Sequence, residues 1–261
     1  MQVISVVEVD STNNEARRLM EAGRPPGFAV SADRQTAGRG RLQRRWQTLP
    51  GNLSLTITAP WEPGRRDGPT IALATGLAIH RTIADLVGGG GTVSIKWPND
   101  VLVDGRKVSG TLIEADGAAI CVGIGINVAA SPDLDGYPVT RLRNFSECGR
   151  DELTDALLAH WTATHETWRA GGYRRIRPDY DVRLHFMDQA MRLSVDREKQ
   201  AWVSGVCRGT DEDGRLVIEG ADGLCTAYAV GDVDRPAHDA AHDAAHDAAH
   251  ERALPSRGGP R

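Results

Sequence analysis

The chain has 261 residues, a formal net charge of −4, 40% hydrophobic and 25% charged residues. That composition fits a soluble globular protein of one or two domains and excludes a general nucleic-acid binder, which carries a basic balance. No unbroken apolar run nears the roughly 18–20 residues of a membrane span, and the start MQVISVVEVDSTNNEA has no signal-peptide pattern, so a cytoplasmic location is expected. Cys121, Cys148, Cys207 and Cys225 show no CxxC or zinc-type spacing and are expected to be reduced and structural.

In chain order, residues 2–9 read as a strand. Asp10, Ser11 or Thr12 then caps a helix whose apolar face holds Ala16, Leu19 and Met20. Gly23-Arg-Pro-Pro-Gly27 ends it, and residues 28–32 read as a second strand. Residues 36–46, TAGRGRLQRRW, put four arginines and two glycines into a stretch able to bury almost nothing. It is either a solvated basic loop or a loop that closes over an anion, with glycines letting the backbone approach and arginines neutralising charge. Residues 52–58 alternate Leu53, Leu55 and Ile57 with Ser54, Thr56 and Thr58, the pattern of a half-buried strand. A long apolar-periodic helix follows over 69–87, closed by the turn 88–91. Short strands then turn at Asp104-Gly105 and Asp116-Gly117, both hairpin signals, and residues 121–128 form another apolar strand. Residues 151–170 and 173–184 read as helices, the first ended by Gly171-Gly172.

Beyond about residue 188 the pattern becomes short alternating strands over 191–195, 201–208, 214–219 and 223–229, as in a small β-barrel. The expected organisation is a larger domain over 1–187, a barrel over 188–234 and a low-complexity tail over 235–261. In the tail, His238, His242, His246 and His250 recur every four residues; a metal-holding helix face is one reading and a dispensable, solvated extension the other.

The known phosphate-binding loops are missing. There is no GxxxxGK[ST], and Gly38-Arg39-Gly40 fails the GxGxxG pattern because Gln43 stands at its last position. Gly123 and Gly125 sit inside a strand, where glycine allows close backbone approach. Lys96-Trp97-Pro98-Asn99-Asp100 places a cation, an indole, a rigid turn and two polar side chains between two strands. Alone, it would be a turn with a surface tryptophan. Lys107 alone would be a snorkelling edge lysine, and Asn127 ends an apolar strand with a polar group.

Taken together, in this order and spacing, TAGRGRLQRRW, KWPND at 96–100, KVSGTLIE at 107–114 and GIGINV at 123–128 resemble the biotin protein ligase family. DSTN at 10–13 and DRQ at 33–35 fit as well, so the resemblance runs from about Val6 to Val128. It implies an α+β fold: a mixed β-sheet flanked by helices, of the class II synthetase-like type, with a small C-terminal SH3-like β-barrel. It implies activation of biotin by Mg·ATP to biotinyl-5′-AMP, then transfer to a lysine of a biotin carboxyl carrier domain of acetyl-CoA carboxylase or a related carboxylase. By the same resemblance Lys107, Arg41 and Asp100 are catalytic. Ser11, Thr12, Asn13, Gln35, Gly38, Arg39, Gly40, Arg41, Lys107 and Gly110 bind biotin. Arg39, Arg41, Arg44, Trp46, Lys96, Asn99, Lys107 and Asn127 hold ATP or the adenylate.

The residue types suit the chemistry. A carboxylate and a triphosphate must meet in line, so their charge must be neutralised first. Arg39 and Arg41 reach oxygens, Gly38 and Gly40 free backbone N–H groups, and Lys107 bridges carboxylate and α-phosphate as a point charge. Asp100 either holds the magnesium or orients the incoming amine. Ser11, Thr12 and Gln35 offer hydrogen bonds to a ureido ring, and the Arg/Gly loop becomes a lid that retains the adenylate and excludes water.

One departure is Gln43, preceded by Leu42, where the family lid carries a glycine. No DNA-binding segment precedes the first strand, so neither DNA nor membrane is an expected partner, and the expected state is a monomer or homodimer. The carrier is expected to pair with a sheet edge near 107–114. The alternatives are a lipoate or octanoate ligase or transferase of the same fold, a non-catalytic adenylate-binding regulator, and an RNA binder using the Arg loop. The Lys107, Arg41 and Asp100 set disfavours the regulator, and the acidic balance without an aromatic platform disfavours RNA.

Overall fold

The computed structural model describes residues 1–134, 137–196 and 200–236. The histidine-bearing part of the tail lies outside them. The chain opens with β1 (Gln2–Val9), α1 (Thr12–Glu21) and β2 (Phe28–Gln35). β1 and β2 run parallel, as a helical crossover requires. There follow β3 (Leu53–Pro60), α2 (Ile71–Val87), β4 (Val93–Lys96), β5 (Asp100–Val103), β6 (Arg106–Asp116) and β7 (Ala119–Ile126). These strands form one seven-stranded mixed sheet in the order β1-β2-β3-β7-β6-β5-β4. α3 (Arg150–Gly171) and α4 (Arg177–Asp181) lead to β8 (Ala190–Ser194), β9 (Trp202–Thr210), β10 (Leu216–Glu219), β11 (Cys225–Tyr228) and β12 (Asp232–Asp234). Those last five make an antiparallel sheet ordered β11-β10-β9-β8-β12. The fold is the expected α+β arrangement with a second sheet compatible with an SH3-like domain.

Alternation along β2 shows how the large sheet is covered. Phe28 and Val30 join Ala16 and Cys121 in a small cluster under α1, while Ala29 joins the main core with Leu77 and Ile79 of α2. Helices therefore cover both faces, and β3 is buried on both rather than on one. Ser54, Thr56 and Thr58 are as inaccessible as Leu53, Leu55 and Ile57. Ser54 accepts from Gln35 Nε2, Thr56 bonds the Thr12 hydroxyl and Thr58 donates to Phe28 O, which is what permits a polar face inside. The segment Gly68–Val87, with mean hydropathy 1.3, is long and apolar enough by length and composition to cross a membrane, although His80, Arg81 and Asp85 interrupt its apolar run. It is 72% buried within this fold and serves as its central helix.

The helix expected over 173–184 breaks into a turn at Tyr173–Arg175 and the short α4. Pro178 lies in the first turn of α4, where its missing N–H costs nothing, but its ring bars continuation from the preceding turn. Beyond α4 the backbone pairs with β4: Ile95 N–H donates to Arg183 O at 2.7 Å and His185 N–H to Ile95 O at 2.9 Å. That segment covers an otherwise open sheet edge. The expected boundary at 187/188 divides sheets, not cores. Leu193, Leu216, Ile218 and Val233 belong to one apolar cluster with Leu77 and Ile95. The Tyr173 and Thr210 hydroxyls also meet across the boundary at 2.7 Å. The cysteines are unpaired; Cys121, Cys148 and Cys207 are buried and Cys225 is exposed.

Three histidines are locked in the neutral form by burial, which pulls His80, His165 and His185 from 6.5 to about 4. Unfolding restores the higher value, so the unfolded chain binds more protons between these limits. The associated stability is complete above pH 6.5 and is lost as pH falls toward 4. His80, whose Nε2 meets Val93 O at 3.1 Å, contributes on the order of 3 kcal/mol to this loss. Denaturant titrations at several pH values should show stability falling from pH 6.5 to 4, and His80→Gln should flatten that slope.

Candidate active site

A row of residues crosses four neighbouring strands on the α1 face of the sheet. Ser54 of β3 pairs with Gly125 of β7, Gly125 with Gly110 of β6, and Gly110 with Asp100 of β5. Two glycines in the middle of that row leave a trough where side chains would otherwise stand. The space is filled from the sides. A Cβ on Gly125 would lie 2.2 Å from the Trp46 indole, and one on Gly123 would lie 2.7 Å from Asn13 Oδ1. These glycines therefore admit side chains from the lid and α1, which differs from the close backbone approach expected of them.

A register shift between Val101 and Leu102 on the β5–β6 ladder places Lys107 opposite Leu102 and Ser109 opposite Val101. Plain alternation would send positions 107 and 110 to opposite faces. With the bulge they share one: a Cβ on Gly110 would meet Lys107 Nζ at 3.1 Å and Asp100 Oδ1 at 3.3 Å. Lys107 Nζ consequently lies 2.7 Å from Asp100 Oδ1, and both side chains are mostly buried. Tyr137 donates its Oη–H to Asp100 Oδ2 at 2.7 Å and accepts from Lys96 Nζ at 3.1 Å. Burial pushes the Tyr137 phenol upward, with the Asp100 charge acting in the same direction. Burial pulls Lys96 downward, against the attraction of Asp100.

These groups line a cavity of about 470 Å³. One end is neutral and hydrogen-bonding. There Thr12 donates through N–H and Oγ1 to Gln35 Oε1 at 2.9 and 3.1 Å, and Thr56 donates to Asn13 Oδ1 at 2.6 Å. Asn13 Nδ2 in turn donates to Glu114 Oε2 at 2.6 Å. Burial pushes the Glu114 carboxyl up, but the Asn13 bond and the charges of Arg17 and Arg39 bring it below its ordinary range. The rest of the lining is charged: Arg39, which sits beside Glu114, with Arg41, Arg44, Arg45, Lys96 and Lys107, against only Asp100 and Asp232. An acidic chain has thus concentrated positive charge in one concavity, where field lines focus.

The basic stretch forms a small hairpin. Trp46 N–H donates to Gly38 O, Gly40 N–H to Arg44 O and Arg44 N–H to Arg41 O. The residue forced into the left-handed region is Leu42, at φ 55°, so the turn that a family glycine would favour falls one position before Gln43. Arg39 reaches Asn14 at 2.9 Å and Glu114, Arg41 donates to Asn99 Oδ1 at 3.1 Å, and Arg44 donates to Asp232 Oδ2 at 2.6 Å. Asp232 belongs to β12, so the second sheet contacts the lid directly. It also holds the KWPND turn, since the buried Trp97 indole donates to Gly214 O at 3.0 Å. Trp97 is therefore an anchor, not a surface side chain.

Of the expected site residues, Ser11, Thr12, Asn13, Gln35, Arg39, Gly40, Arg41, Arg44, Trp46, Lys96, Asn99, Asp100, Lys107, Gly110 and Asn127 line this one cavity. Gly38 stands behind it; a Cβ there would come within 2.6 Å of Trp46 O, so its role is to let the lid strands close. Asn127 turns its amide to Thr140 O at 3.2 Å. Sequence reasoning missed Tyr137, Thr111, Asp232 and Asn52. Asn52 Oδ1 accepts from the N–H groups of Val128, Ala129 and Ala130 and so shapes the loop after GINV. Thr111 Oγ1 is buried at the cavity with no protein partner among the described residues. Among the described residues no three His, Cys, Asp or Glu side chains cluster for a metal. Both Asp100 oxygens face protein donors, which fits magnesium carried in on a triphosphate better than a resident ion.

Residues 5–129 match the Biotin/lipoate A/B protein ligase family. Over 237 residues the chain is 30% identical to the biotin--[acetyl-CoA-carboxylase] ligase of Paracoccus denitrificans, covering 84% of this chain and 94% of that one. A biotin protein ligase from Aquifex aeolicus, solved in complex with biotin and ATP, matches with TM-score 0.75 at 26% identity, over 89% of this chain and 97% of that one. A Leishmania major biotin protein ligase in complex with biotinyl-5-AMP matches with TM-score 0.63 at 25% identity, over 88% and 99%. The chain belongs to this ligase family, on its biotin protein ligase side.

The trough predicts the effect of filling it. Gly125 lies in β7, held between β3 and β6, so its backbone cannot retreat and Gly125→Ala should expel Trp46. Trp46 emission should shift to the red in a variant whose other tryptophans are Phe, and ATP affinity should fall at least tenfold with little change in melting temperature.

Proposed function

We propose that this protein is a biotin protein ligase that condenses biotin with Mg·ATP to biotinyl-5′-AMP and transfers the biotinyl group to a lysine of a carrier domain. The observation that carries this reading is the Lys107–Asp100 pair, set between a neutral hydrogen-bonding end and a basic lid inside one cavity. Biotin's uncharged ureido ring suits Ser11, Thr12 and Gln35, and its carboxylate then points toward the charged end. Lys107 and the lid arginines hold carboxylate and α-phosphate together against their repulsion. The carboxylate oxygen attacks phosphorus and pyrophosphate departs with its electron pair, its charge neutralised by the lid arginines; magnesium bound to the triphosphate would supply further screening there. Arg41, fixed by Asn99, and Trp46, seated on Gly125, then close over the adenylate.

For the second step the carrier must reach this cavity. β6 is paired by β7 over 109–116 but by β5 only over 106–110. Among the described residues nothing pairs with 112–116 on the side away from β7. We assign that edge to the carrier, as the backbone spacing of a hairpin would require. The reaction is assigned to the cytoplasm, with acetyl-CoA carboxylase or a related carboxylase supplying the carrier.

Biotin-dependent exchange of labelled pyrophosphate into ATP tests the reading; exchange that responds to lipoate but not to biotin contradicts it. Lys107→Ala should abolish exchange because its charge acts where the reacting charges are densest. Arg41→Gly should keep exchange but lose about 1.5–3 kcal/mol of adenylate retention, so the intermediate escapes roughly ten- to a hundredfold faster. A blot for biotin on an added bystander protein should be strong with Arg41→Gly and blank with Lys107→Ala.

A further inference from the structure

The four groups Lys96, Tyr137, Asp100 and Lys107 form one continuous chain of contacts, and its tyrosine comes from a loop that no motif marks. That loop is tied down at the reacting end of the site. Lys107 N–H donates to Pro138 O at 2.9 Å and Thr140 N–H to Lys107 O at 2.8 Å, so residues 138–140 lie as a short extra strand beside Lys107. Tyr137 is thereby placed over the Asp100 carboxylate, with Lys96 Nζ above its ring at 4.5 Å.

Asp100 has two oxygens and two different partners. Oδ1 faces Lys107, the cation that the adenylation step draws toward the substrate anions. Oδ2 faces Tyr137, a neutral donor that incoming anions draw less strongly than they draw the Lys107 ammonium. When Lys107 turns to the substrate, Oδ1 loses its partner and the tyrosine bond keeps the carboxylate from following. We propose that Tyr137 is a positioning residue for acyl transfer, holding Asp100 so that Oδ1 receives the amine of the carrier lysine. The inference rests on the ligase reading above.

The step balances as follows. The neutral amine's lone pair forms the C–N bond at the acyl carbon, and the bond from that carbon to the phosphate oxygen breaks, its electron pair leaving on AMP. The proton lost from nitrogen goes to Asp100 Oδ1 and from there to solvent. Tyr137 keeps its own proton throughout. Among the described residues the other charges acting on Asp100 are Lys96 at the end of β4, Lys107 on β6 and Arg44 of the lid, while Asp232 of β12 acts on Tyr137, Lys96 and Arg44. None of these is a neutral donor that could replace the phenol.

Tyr137→Phe removes only Oη and keeps the ring beneath Lys96. The experiment measures two half-reactions in wild type, Tyr137→Phe, Asp100→Asn and the double variant: biotin-dependent pyrophosphate exchange, and single-turnover transfer from preformed biotinyl-5′-AMP to a saturating carrier domain. A hydrogen bond to a charged group is lost, so transfer by Tyr137→Phe should slow by roughly ten- to a hundredfold. Exchange, which does not use Oδ1 as a proton acceptor, should fall less than transfer does, and an unchanged melting temperature shows that the variant is folded. In the Asp100→Asn background, Tyr137→Phe should slow transfer no further, because the tyrosine acts only through that carboxylate. Wild-type transfer rates in Tyr137→Phe, equal losses in both half-reactions, or full additivity with Asp100→Asn would each overturn the proposal. Failure of wild-type exchange with biotin would instead sink the ligase reading, so the two failures are distinguishable.

Discussion

A lysine and an aspartate from adjacent strands, 2.7 Å apart in a mostly buried trough, organise the rest of this protein. Burying two charges side by side is costly unless each finds additional partners. Here Asp100 gains Tyr137, while Lys107 lies 5.6 Å from the Tyr137 ring and 5.9 Å from that of Trp46. The geometry depends on two small features. The β5–β6 bulge turns Lys107 onto the face of Gly110, the missing side chain of Gly110 leaves the space both charges share, and that of Gly125 admits the Trp46 indole beside them. A sheet with regular alternation and ordinary residues in that row would have no cavity.

Around this pair the molecule keeps its polar groups in fixed order. The hydroxyl face of β3 and the cap of α1 make a neutral floor, the lid adds positive charge, and the second sheet clamps both the lid and the KWPND turn. The clamp is small in area but specific, a carboxylate on Arg44 and one carbonyl on Trp97. It makes lid position and turn position depend on the same five strands. The C-terminal sheet is therefore part of the site's construction, in keeping with an apolar core that runs through both sheets.

Much of this was legible in the sequence because it is written locally. Turn glycines, apolar periods and the motifs at 10–13, 36–46, 96–100, 107–114 and 123–128 mark the strands, α1, α2, α3 and nearly every cavity residue. What escaped is non-local. Serine–threonine alternation in β3 reads as solvent-facing, and only the packing of α1 over it turns those hydroxyls inward. The glycines of GIGINV show that something approaches closely, but only the cross-strand register identifies Trp46 and Asn13. Tyr137 and Asp232 carry no motif, because their roles depend on a loop returning to β6 and on a second sheet docking beside the lid. Residues 173–184 misled because their helical period is real, yet Pro178 interrupts it and the backbone is needed to cover β4.

The central claim is that the Lys107 charge, held beside Asp100, drives condensation of biotin with ATP on the way to a carrier lysine. Intact-mass spectrometry of a purified biotin carboxyl carrier domain, after incubation with this protein, Mg·ATP and biotin, tests it most directly. The account predicts one added biotinyl group on a single carrier lysine, and none when Lys107→Met keeps the side chain's length but drops its charge. A carrier left unmodified by the wild-type protein, or modified equally well by Lys107→Met, would contradict it.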